Sequence, residues 1–390
     1  MTIIFLQNIF EKSINGEWGN EDSGKGEATA VIRTSNFLNS GRLNLDNIVC
    51  REIDKDKNSD KILRTGDIII EKSGGSPNQP VGRVVYFDVT DQDYFTNNFT
   101  SILRVKPEYN SKYIFYLMKY LYDTKKVLKF QNQTTGIINL KLADYLNKTK
   151  VNIETIENQN TIVDILDRLE YQIINRNKQI SELSNLVKSR FNEMFEEYPD
   201  SVFLDTYIKE LRAGKSLAGE ENNKNKVLKT GAVSYDYFNS SEVKNLPIDY
   251  IPLDEHKVEI GDVIISRMNT SELVGAAGYV WTINSDNIYL PDRLWKVVLN
   301  DRVNPVFLWK LITNEITKLK IKRIASGTSG SMKNISKSKF LKIRVPLPPL
   351  SLQNEFADFV AQVDKSQLAI QKSLEELETL KKSLMQEYFG

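Results

Sequence analysis

Cysteine and histidine are almost absent from this 390-residue chain, which contains only Cys50 and His256. A single cysteine cannot form an intramolecular disulfide, and one cysteine with one histidine cannot build the clusters that bind structural zinc. The lone histidine leaves at most one imidazole general base, and no serine or cysteine nucleophile motif accompanies it. The composition therefore disfavours disulfide-stabilised, zinc-binding and histidine-dependent catalytic proteins.

Net charge and long apolar runs are also lacking. The chain has 52 basic and 51 acidic residues and a formal charge of +1, so a polyanionic partner would have to be bound by local basic patches. No apolar run reaches the roughly 20 residues that cross a bilayer, and the N-terminus lacks a signal-peptide pattern. These absences predict a soluble cytoplasmic protein without a membrane partner.

Motifs for catalysis and cofactor binding are incomplete. The segment Gly19–Gly26 has the glycine spacing of a phosphate loop but ends in glycine where a hydroxyl for magnesium belongs. A second near-match, Gly214-Lys215-Ser216, lacks the first glycine, and neither segment is followed by an amphipathic helix. Nuclease motifs occur only as scattered fragments, and the loops of a base methyltransferase are absent. We therefore expect no metal site, no cofactor and no catalysis in this chain alone.

An internal repeat is the most informative feature of the sequence, and it is clearest between residues 151–195 and 345–389. Aligned without a gap, the two segments share identical residues that include the pairs Gln159/Gln353, Lys178/Lys372, Glu182/Glu376 and Phe195/Phe389. Apolar residues recur every three or four positions, for example Ile162, Leu166 and Leu169 in the first copy and Phe356, Val360 and Val363 in the second. This spacing is typical of a coiled-coil seam, which neither helix can bury alone. Two unrelated surface helices would leave the gapless match unexplained.

The segments that precede the two helices also correspond to each other. Gly66-Asp67 before three isoleucines recurs as Gly261-Asp262 before Val-Ile-Ile, and a predicted helix from Ser111 to Leu128, capped by its serine, recurs from Asn304 to Arg323. The sequence therefore predicts a globular domain at residues 1–150, a long helix at 151–196, a second domain at 197–344 and a second long helix at 345–390. The expected fold class is α/β (α+β), with the two helices paired as an antiparallel coiled coil in a pseudo-two-fold arrangement.

Polar loops hinged by glycine occupy matching positions in both halves, one after each Gly-Asp strand and one after each domain helix. Their Arg, Lys, Asn, Gln, Ser and Thr side chains are the types that read base edges and hold phosphates. Basic clusters lie near them. A solvated helix face explains such clusters about as often as DNA binding does. The candidate DNA-binding residues are Lys72, Ser73, Ser76, Asn78, Arg83, Gln133 and Thr134 in the first half, and Arg267, Asn269, Thr270, Thr328, Ser329 and Lys333 in the second.

The whole chain resembles the specificity subunits of type I restriction-modification systems. The resemblance is carried by the two Gly-Asp strands and by Ile343–Gln353, IRVPLPPLSLQ, which leads into the second helix. The first helix lacks this proline-rich entry. The resemblance implies that the globular parts are target recognition domains, each reading one half of a split double-stranded DNA sequence, while the helices set the spacer between the halves.

The resemblance also implies a non-catalytic subunit of a larger complex. Two methyltransferase subunits would dock on it and methylate adenine, restriction subunits would join them, and these partners would bring S-adenosylmethionine, ATP and Mg²⁺. Exposed residues that are identical in both helices would form the docking surface, namely Lys178, Glu182, Lys372 and Glu376. The alternative is a coiled-coil scaffold that presents two protein-binding domains without DNA specificity, and the salt dependence of DNA affinity separates the two hypotheses.

Overall fold

The computed structural model describes residues 2–24, 28–76, 78–134, 137–327 and 332–390. The chain divides into two compact units, the first formed by Met1–Arg176 with Ser373–Gly390 and the second by Asn177–Lys372. Each unit therefore contains one globular domain together with one half of each long helix. The four segments expected from the sequence differ from these units because the long helices contribute to the compact core of both.

The first unit is a mixed helix and strand structure. Its elements, up to the long helix that continues into the second unit, are β1 (Thr2–Phe5), β2 (Phe10–Asn15), β3 (Ala28–Ile32), β4 (Val49–Glu52), β5 (Ile68–Glu71), β6 (Ser73–Gly75), β7 (Val84–Tyr86), β8 (Tyr94–Thr96), β9 (Thr100–Val105), α1 (Ser111–Asp123), β10 (Gln131–Thr134), β11 (Ile137–Leu140), α2 (Leu142–Lys148), β12 (Lys150–Ile153) and α3 (Ile156–Phe195). The strands form a sheet of order β2-β9-β5-β7, a second of order β4-β3-β8, a third of order β10-β11-β6, and the pair β1-β12.

The second unit repeats this topology. Its elements are β13 (Asp200–Phe203), β14 (Ile208–Arg212), β15 (Lys226–Leu228), β16 (Val243–Asn245), β17 (Val263–Ser266), β18 (Met268–Asn269), β19 (Ala277–Tyr279), β20 (Ile288–Tyr289), β21 (Leu294–Leu299), α4 (Pro305–Thr313), α5 (Glu315–Ile324), β22 (Lys333–Asn334), α6 (Lys337–Leu341), β23 (Arg344–Pro346) and α7 (Leu350–Phe389). The sheets have the orders β14-β21-β17-β19 and β16-β15-β20, with the pairs β13-β23 and β18-β22. The predicted repetition of a whole α/β frame is confirmed.

The Gly-Asp motif is a turn that starts the central strand of each four-stranded sheet. Gly66 and Gly261 both have φ of +96°, a conformation that side chains with a Cβ rarely adopt. The aspartate that follows is anchored by a basic residue of the neighbouring strand. Arg104 donates to both carboxylate oxygens of Asp67 at 2.9 and 2.8 Å in the first unit, and Asp262 lies 2.9 Å from Lys296 Nζ in the second. Positive φ and an internal ion pair therefore explain why the motif occurs twice.

Within each unit the halves of the two long helices pack against each other. In the second unit Gln367 Nε2 donates to Ser184 Oγ at 2.9 Å, and Arg190 lies 3.0 Å from Glu355. Later residues of α3 thus meet earlier residues of α7, so the pairing is antiparallel. In the first unit Glu170 and Lys381 form an ion pair between the same helices. The predicted partnership of the two helices is confirmed.

The buried surface of the long helices is wider than the predicted seam. The six seam residues used as examples are all buried, but so are Phe191, Phe195, Met385 and Phe389. The Phe195 ring lies 4.9 Å from that of Phe307 on α4, and the Phe389 ring lies 5.2 Å from that of Tyr113 on α1, as measured between ring centroids. The helices therefore carry a second apolar face that fixes each domain to them.

Several predicted helix boundaries are wrong. Asn110, not Ser111, caps α1, because its side-chain oxygen accepts from the backbone N–H groups of Lys112 and Tyr113 at 2.9 and 3.1 Å. α1 ends at Asp123. The helix predicted from Asn304 to Arg323 is broken at Asn314, which caps α5. The long helices begin later than expected, because the residues before them form strands β12 and β23.

Candidate nucleic-acid interface

In the first unit the two predicted DNA-binding loops lie side by side. Strand β6 from the loop after β5 pairs with β11, which also pairs with β10, with Ser73 opposite Asn139 and Gly75 opposite Ile138. Gln133 and Thr134 lie on β10, where the structure describes the strand but not their side chains. Segments about 60 residues apart in sequence thus form one small sheet, which places Ser73, Gln133 and Thr134 on the two strands that flank β11.

The second unit brings its two loops together in the same way. β18 pairs with β22, with Met268 opposite Asn334 and Asn269 opposite Lys333. The backbone N–H of Ile335 donates to the carbonyl of Arg267 at 2.9 Å and extends this contact. The predicted residues Thr328 and Ser329 lie outside the residues that the structure describes. A common arrangement therefore presents different side chains in the two units.

Most of the predicted side chains of the first unit are held by neighbours or lie at the surface. Lys72 Nζ donates to Asn15 Oδ1 at 2.8 Å, and burial lowers the pKa of Lys72. Ser73 Oγ donates to Asn139 Oδ1 at 2.5 Å. Ser76 and Asn78 are exposed in the turn that follows β6. This part of the loop presents hydroxyl and amide groups to the solvent, with one amine at its base.

Arg83 differs from the other predicted residues, because its guanidinium group is engaged inside the domain. It donates to both carboxylate oxygens of Glu71 at 2.8 and 3.1 Å and to the carbonyl oxygen of Thr34 at 3.1 Å. The side chains of Arg83 and Glu71 are only 12% and 3% exposed. A contact between Arg83 and DNA was expected from the sequence. The geometry instead gives it the role of fixing the segment after β3 to strands β5 and β7.

The predicted residues of the second unit that the structure describes lie on or next to the pair β18-β22. The guanidinium carbon of Arg267 lies 5.8 Å from the centroid of the Trp295 ring, and Lys333 Nζ donates to the carbonyl of Gly327 at 3.1 Å. Asn269 Nδ2 donates to Ser266 Oγ at 3.3 Å, and Thr270 is exposed. Two cations and two polar side chains therefore share one surface, which is suited to contacts with phosphate and with base edges.

The residues that orient these side chains could not be predicted from the sequence. Asn15 and Asn139 accept hydrogen bonds from Lys72 and Ser73, but they are 57 and 66 residues away from them along the chain. Pairings at such separations leave no local pattern, because they depend on the order of strands in the sheets. Only the general abundance of asparagine near strand ends could have pointed to them.

The four residues expected to dock partner subunits all lie on the solvent-exposed surface of the long helices. Lys178 and Glu182 on α3 are exposed and 3.7 Å apart, and Lys372 and Glu376 are exposed on α7. Their positions leave these side chains accessible to another protein. Their role as a docking surface stays a prediction.

The residues that the structure describes show neither a cluster of metal ligands nor a membrane-spanning helix. There, no three histidine, cysteine, aspartate or glutamate side chains cluster as metal ligands. None of the helices in the same part of the chain is long and apolar enough to cross a membrane.

The repeated frame and its paired polar loops agree with a comparison with known families. The chain matches the family described as "Type I restriction modification DNA specificity domain" over residues 1–185 and 208–380, which include most of both units. The chain therefore belongs to this family of type I restriction-modification specificity proteins.

Two relatives of this chain are type I restriction enzyme specificity subunits. The specificity subunit of type I restriction enzyme EcoKI from Escherichia coli K12 is 23% identical over 389 residues, covering 94% of this chain and 82% of the relative. The MjaVIII specificity subunit from Methanocaldococcus jannaschii is 25% identical over 296 residues, covering 70% of this chain and 68% of the relative.

Two solved structures share the fold at low sequence identity. The S subunit of a type I restriction-modification system from M. genitalium has a TM-score of 0.61 at 16% identity, covering 100% of this chain and 96% of that one. A chain from a structural study of assembly and conformational transition of the type I system has a TM-score of 0.53 at 16% identity, with coverages of 99% and 96%. At these identities the likeness establishes the fold.

Proposed function

We propose that this type I specificity subunit reads a bipartite DNA target, one half with each globular domain. The observation that carries the proposal is the recurrence of two paired polar loops on one frame, β6 with β11 in the first unit and β18 with β22 in the second. The frames agree while the side chains on them differ. This is the arrangement expected of two domains that bind the same kind of ligand but read different sequences.

Phosphate contacts and base contacts are assigned to different residues. Lys72, Arg267 and Lys333 carry the positive charges of the two surfaces, and we assign them to phosphates, which fix the register on the duplex. The polar, uncharged residues are assigned to base edges, and they are Ser73, Ser76, Asn78, Gln133, Thr134, Asn269, Thr270, Thr328 and Ser329. Arg83 is assigned to positioning.

The long helices set the distance between the half-sites and receive the partner subunits. Two methyltransferase subunits dock on the faces marked by Lys178 and Glu182 and by Lys372 and Glu376, and restriction subunits join this complex. S-adenosylmethionine, ATP and Mg²⁺ belong to those partners, which methylate adenine after flipping it from the duplex. The chain itself contributes recognition and no catalysis, and it acts in the cytoplasm, where the host DNA lies.

The alternative to a DNA-reading subunit is a scaffold that only joins two protein-binding domains. The family match over both units and the paired polar loops support the DNA reader instead. The scaffold hypothesis predicts no sequence preference and little salt dependence of DNA binding.

The experiment is a salt titration of DNA binding with the full chain and its methyltransferase subunits. We expect log K to fall steeply as log salt rises, by about 0.9 for each phosphate contact. Arg267→Ala and Lys333→Ala should each weaken binding and reduce this slope. Lys57→Ala, which removes an exposed lysine outside the predicted loops, is the matched control. A shallow slope without sequence preference would support the scaffold, and unchanged binding by Arg267→Ala and Lys333→Ala would refute the loop assignment.

A further inference from the structure

The first unit contains an open polar cavity of about 540 Å³ between the segment after β3 and the loop after β6. We propose that this cavity reads one A·T base pair in the half-site of the first unit. The inference rests on the proposed function, since it presupposes that the first unit binds DNA. It adds the wall formed by residues 34–39, to which neither the sequence nor the comparisons gave a role.

Opposite walls of the cavity carry exposed side chains that can reach a base pair. Ser35, Leu38 and Asn39 form one wall, and Ser76 and Gln79 belong to the other. Gln79 Nε2 donates to Asn39 Oδ1 at 3.4 Å across the opening. A hydrogen bond of this length between exposed amides is weak, so both groups are available for a stronger partner.

Backbone at Gly74 leaves the entrance clear. Gly74 has φ of +109°, and a Cβ built there would meet nothing within 4 Å. A Cβ at the next residue, Gly75, would lie only 2.8 Å from the carbonyl oxygen of Gln79. Gly74 therefore faces open space that a ligand can fill, while Gly75 allows the loop to fold back tightly against β6.

The charges at the cavity favour a base over a phosphate. Both Glu71 and Arg83 line it, and their carboxylate and guanidinium groups form a two-bond ion pair. Because this pair is neutral as a whole, the cavity offers no unpaired cation for a phosphate. Phosphate binding in this unit is better served by Lys72, whose partner is the uncharged Asn15.

The chemistry of the walls points to an A·T pair. The carboxamides of Asn39 and Gln79 have the donor and acceptor geometry that pairs with N6 and N7 of adenine in the major groove. Leu38, 44% exposed beside them, supplies the apolar surface that contacts the methyl group of thymine. A G·C pair would present no methyl group to Leu38.

The corresponding position in the second unit has a different side chain. Thr34 and Thr230 each begin a 3-10 helix shortly after the corresponding strands β3 and β15, and counting from them Asn39 corresponds to Tyr235. Tyr235 is 88% exposed and has φ of +64°. The same part of the frame therefore presents an amide in one unit and a phenol in the other, which fits two domains with different base preferences.

The test measures base discrimination by the full chain in complex with its methyltransferase subunits. Competition binding uses duplexes that carry the split motif methylated in the host, with each base pair of both halves replaced in turn. The variants are Asn39→Ala, Gln79→Ala and Leu38→Ala. The matched control is Gln92→Ala, which removes an exposed carboxamide of the same unit that does not line the cavity.

We expect Asn39→Ala and Gln79→Ala to reduce discrimination at one A·T pair by about 10-fold, and Leu38→Ala to reduce it at the same pair. The other half-site and the salt dependence should not change. Discrimination equal to that of Gln92→Ala at every position would overturn the proposal, as would relaxation at a G·C pair or in both halves. If the unmodified complex has no preference at all, the proposed function itself fails.

Discussion

The side-chain oxygen of Gln159 accepts a hydrogen bond from the backbone N–H of Asn110 at 2.9 Å. In the second unit Gln353 accepts the corresponding bond from Asn304 at 3.0 Å. The two glutamines are 1% and 0% exposed. Since Asn110 and Asn304 cap α1 and α4, each bond joins a long helix to the start of a domain helix. This contact accounts for the identity of Gln159 and Gln353 in the repeat.

Replacing Gln353 by alanine should destabilise the second unit by about 1–3 kcal/mol, because the partly buried N–H of Asn304 is left without its acceptor. Urea unfolding measures the loss. Asn354→Ala is the control, since Asn354 is an exposed neighbour that bonds to the side chain of Asn304 at 2.9 Å. An equal or larger loss in the control would contradict the role given to Gln353.

The positioning role of Arg83 predicts two separable effects. Arg83→Met alone leaves the carboxylate of Glu71 buried without its partner, so the free energy of unfolding should fall by about 3–5 kcal/mol. The double variant Glu71→Gln/Arg83→Met removes both charges and should recover part of that stability. Its DNA affinity should keep the salt slope of the unmodified complex. A slope reduced by about one unit would show that Arg83 contacts a phosphate.

Lys310 in the second unit predicts a dependence of stability on pH. Burial lowers the pKa of Lys310 from 10.5 to about 8. The negative charges of Asp364 and Asp236 act in the other direction and raise this pKa, but burial is the larger effect. The unfolded chain keeps this proton up to about pH 10.5, whereas the folded chain releases it near pH 8. Stability is therefore reduced below pH 8 and recovers as pH rises through this window.

Comparison with Lys310→Met isolates this titration. The free energy of unfolding of the unmodified chain, measured relative to this variant, should rise by up to about 3 kcal/mol between pH 8 and pH 10.5. Urea denaturation at several pH values provides the measurement. A difference that stays constant across the window would mean that Lys310 keeps an ordinary pKa in the folded chain.

The docking surface predicts an effect on stoichiometry. Lys178→Glu and Lys372→Glu each reverse one charge on one of the two matching helix faces, so each should weaken the binding of one methyltransferase subunit out of two. Sedimentation near the dissociation constant should show a shift towards a complex with a single methyltransferase subunit. Lys365→Glu, an exposed lysine elsewhere on α7, serves as the control. Equal loss by the control would place the docking surface elsewhere.

The features that could be predicted from the sequence are those encoded locally or by repetition. The Gly-Asp turns follow from a glycine that must adopt positive φ, and the pairing of α3 with α7 follows from two apolar stripes that need a partner. The polar loops were recognised because each occurs twice. The structure shows that the two loops of each half meet, which the sequence did not predict.

Contacts between distant residues could not be predicted in the same way. The ion pair of Arg83 with Glu71 depends on the neighbouring strands β5 and β7, and no local pattern distinguishes Arg83 from an arginine that faces DNA. The interruption at Asn314 between α4 and α5 could not be predicted, because the residues on both sides favour a helix. Phe195 and Phe389 lie off the heptad seam, so their burial against α4 and α1 required knowledge of the domain surface.

The central claim is that this chain selects a split DNA sequence for methylation. It is tested most directly by single-molecule sequencing of methylated bases in the host genome, with the gene present and with it deleted, while the methyltransferase subunit is expressed in both strains. We predict that one split motif with methylated adenine in each half disappears on deletion and returns when the gene is restored. Identical methylation patterns in the two strains would contradict the claim.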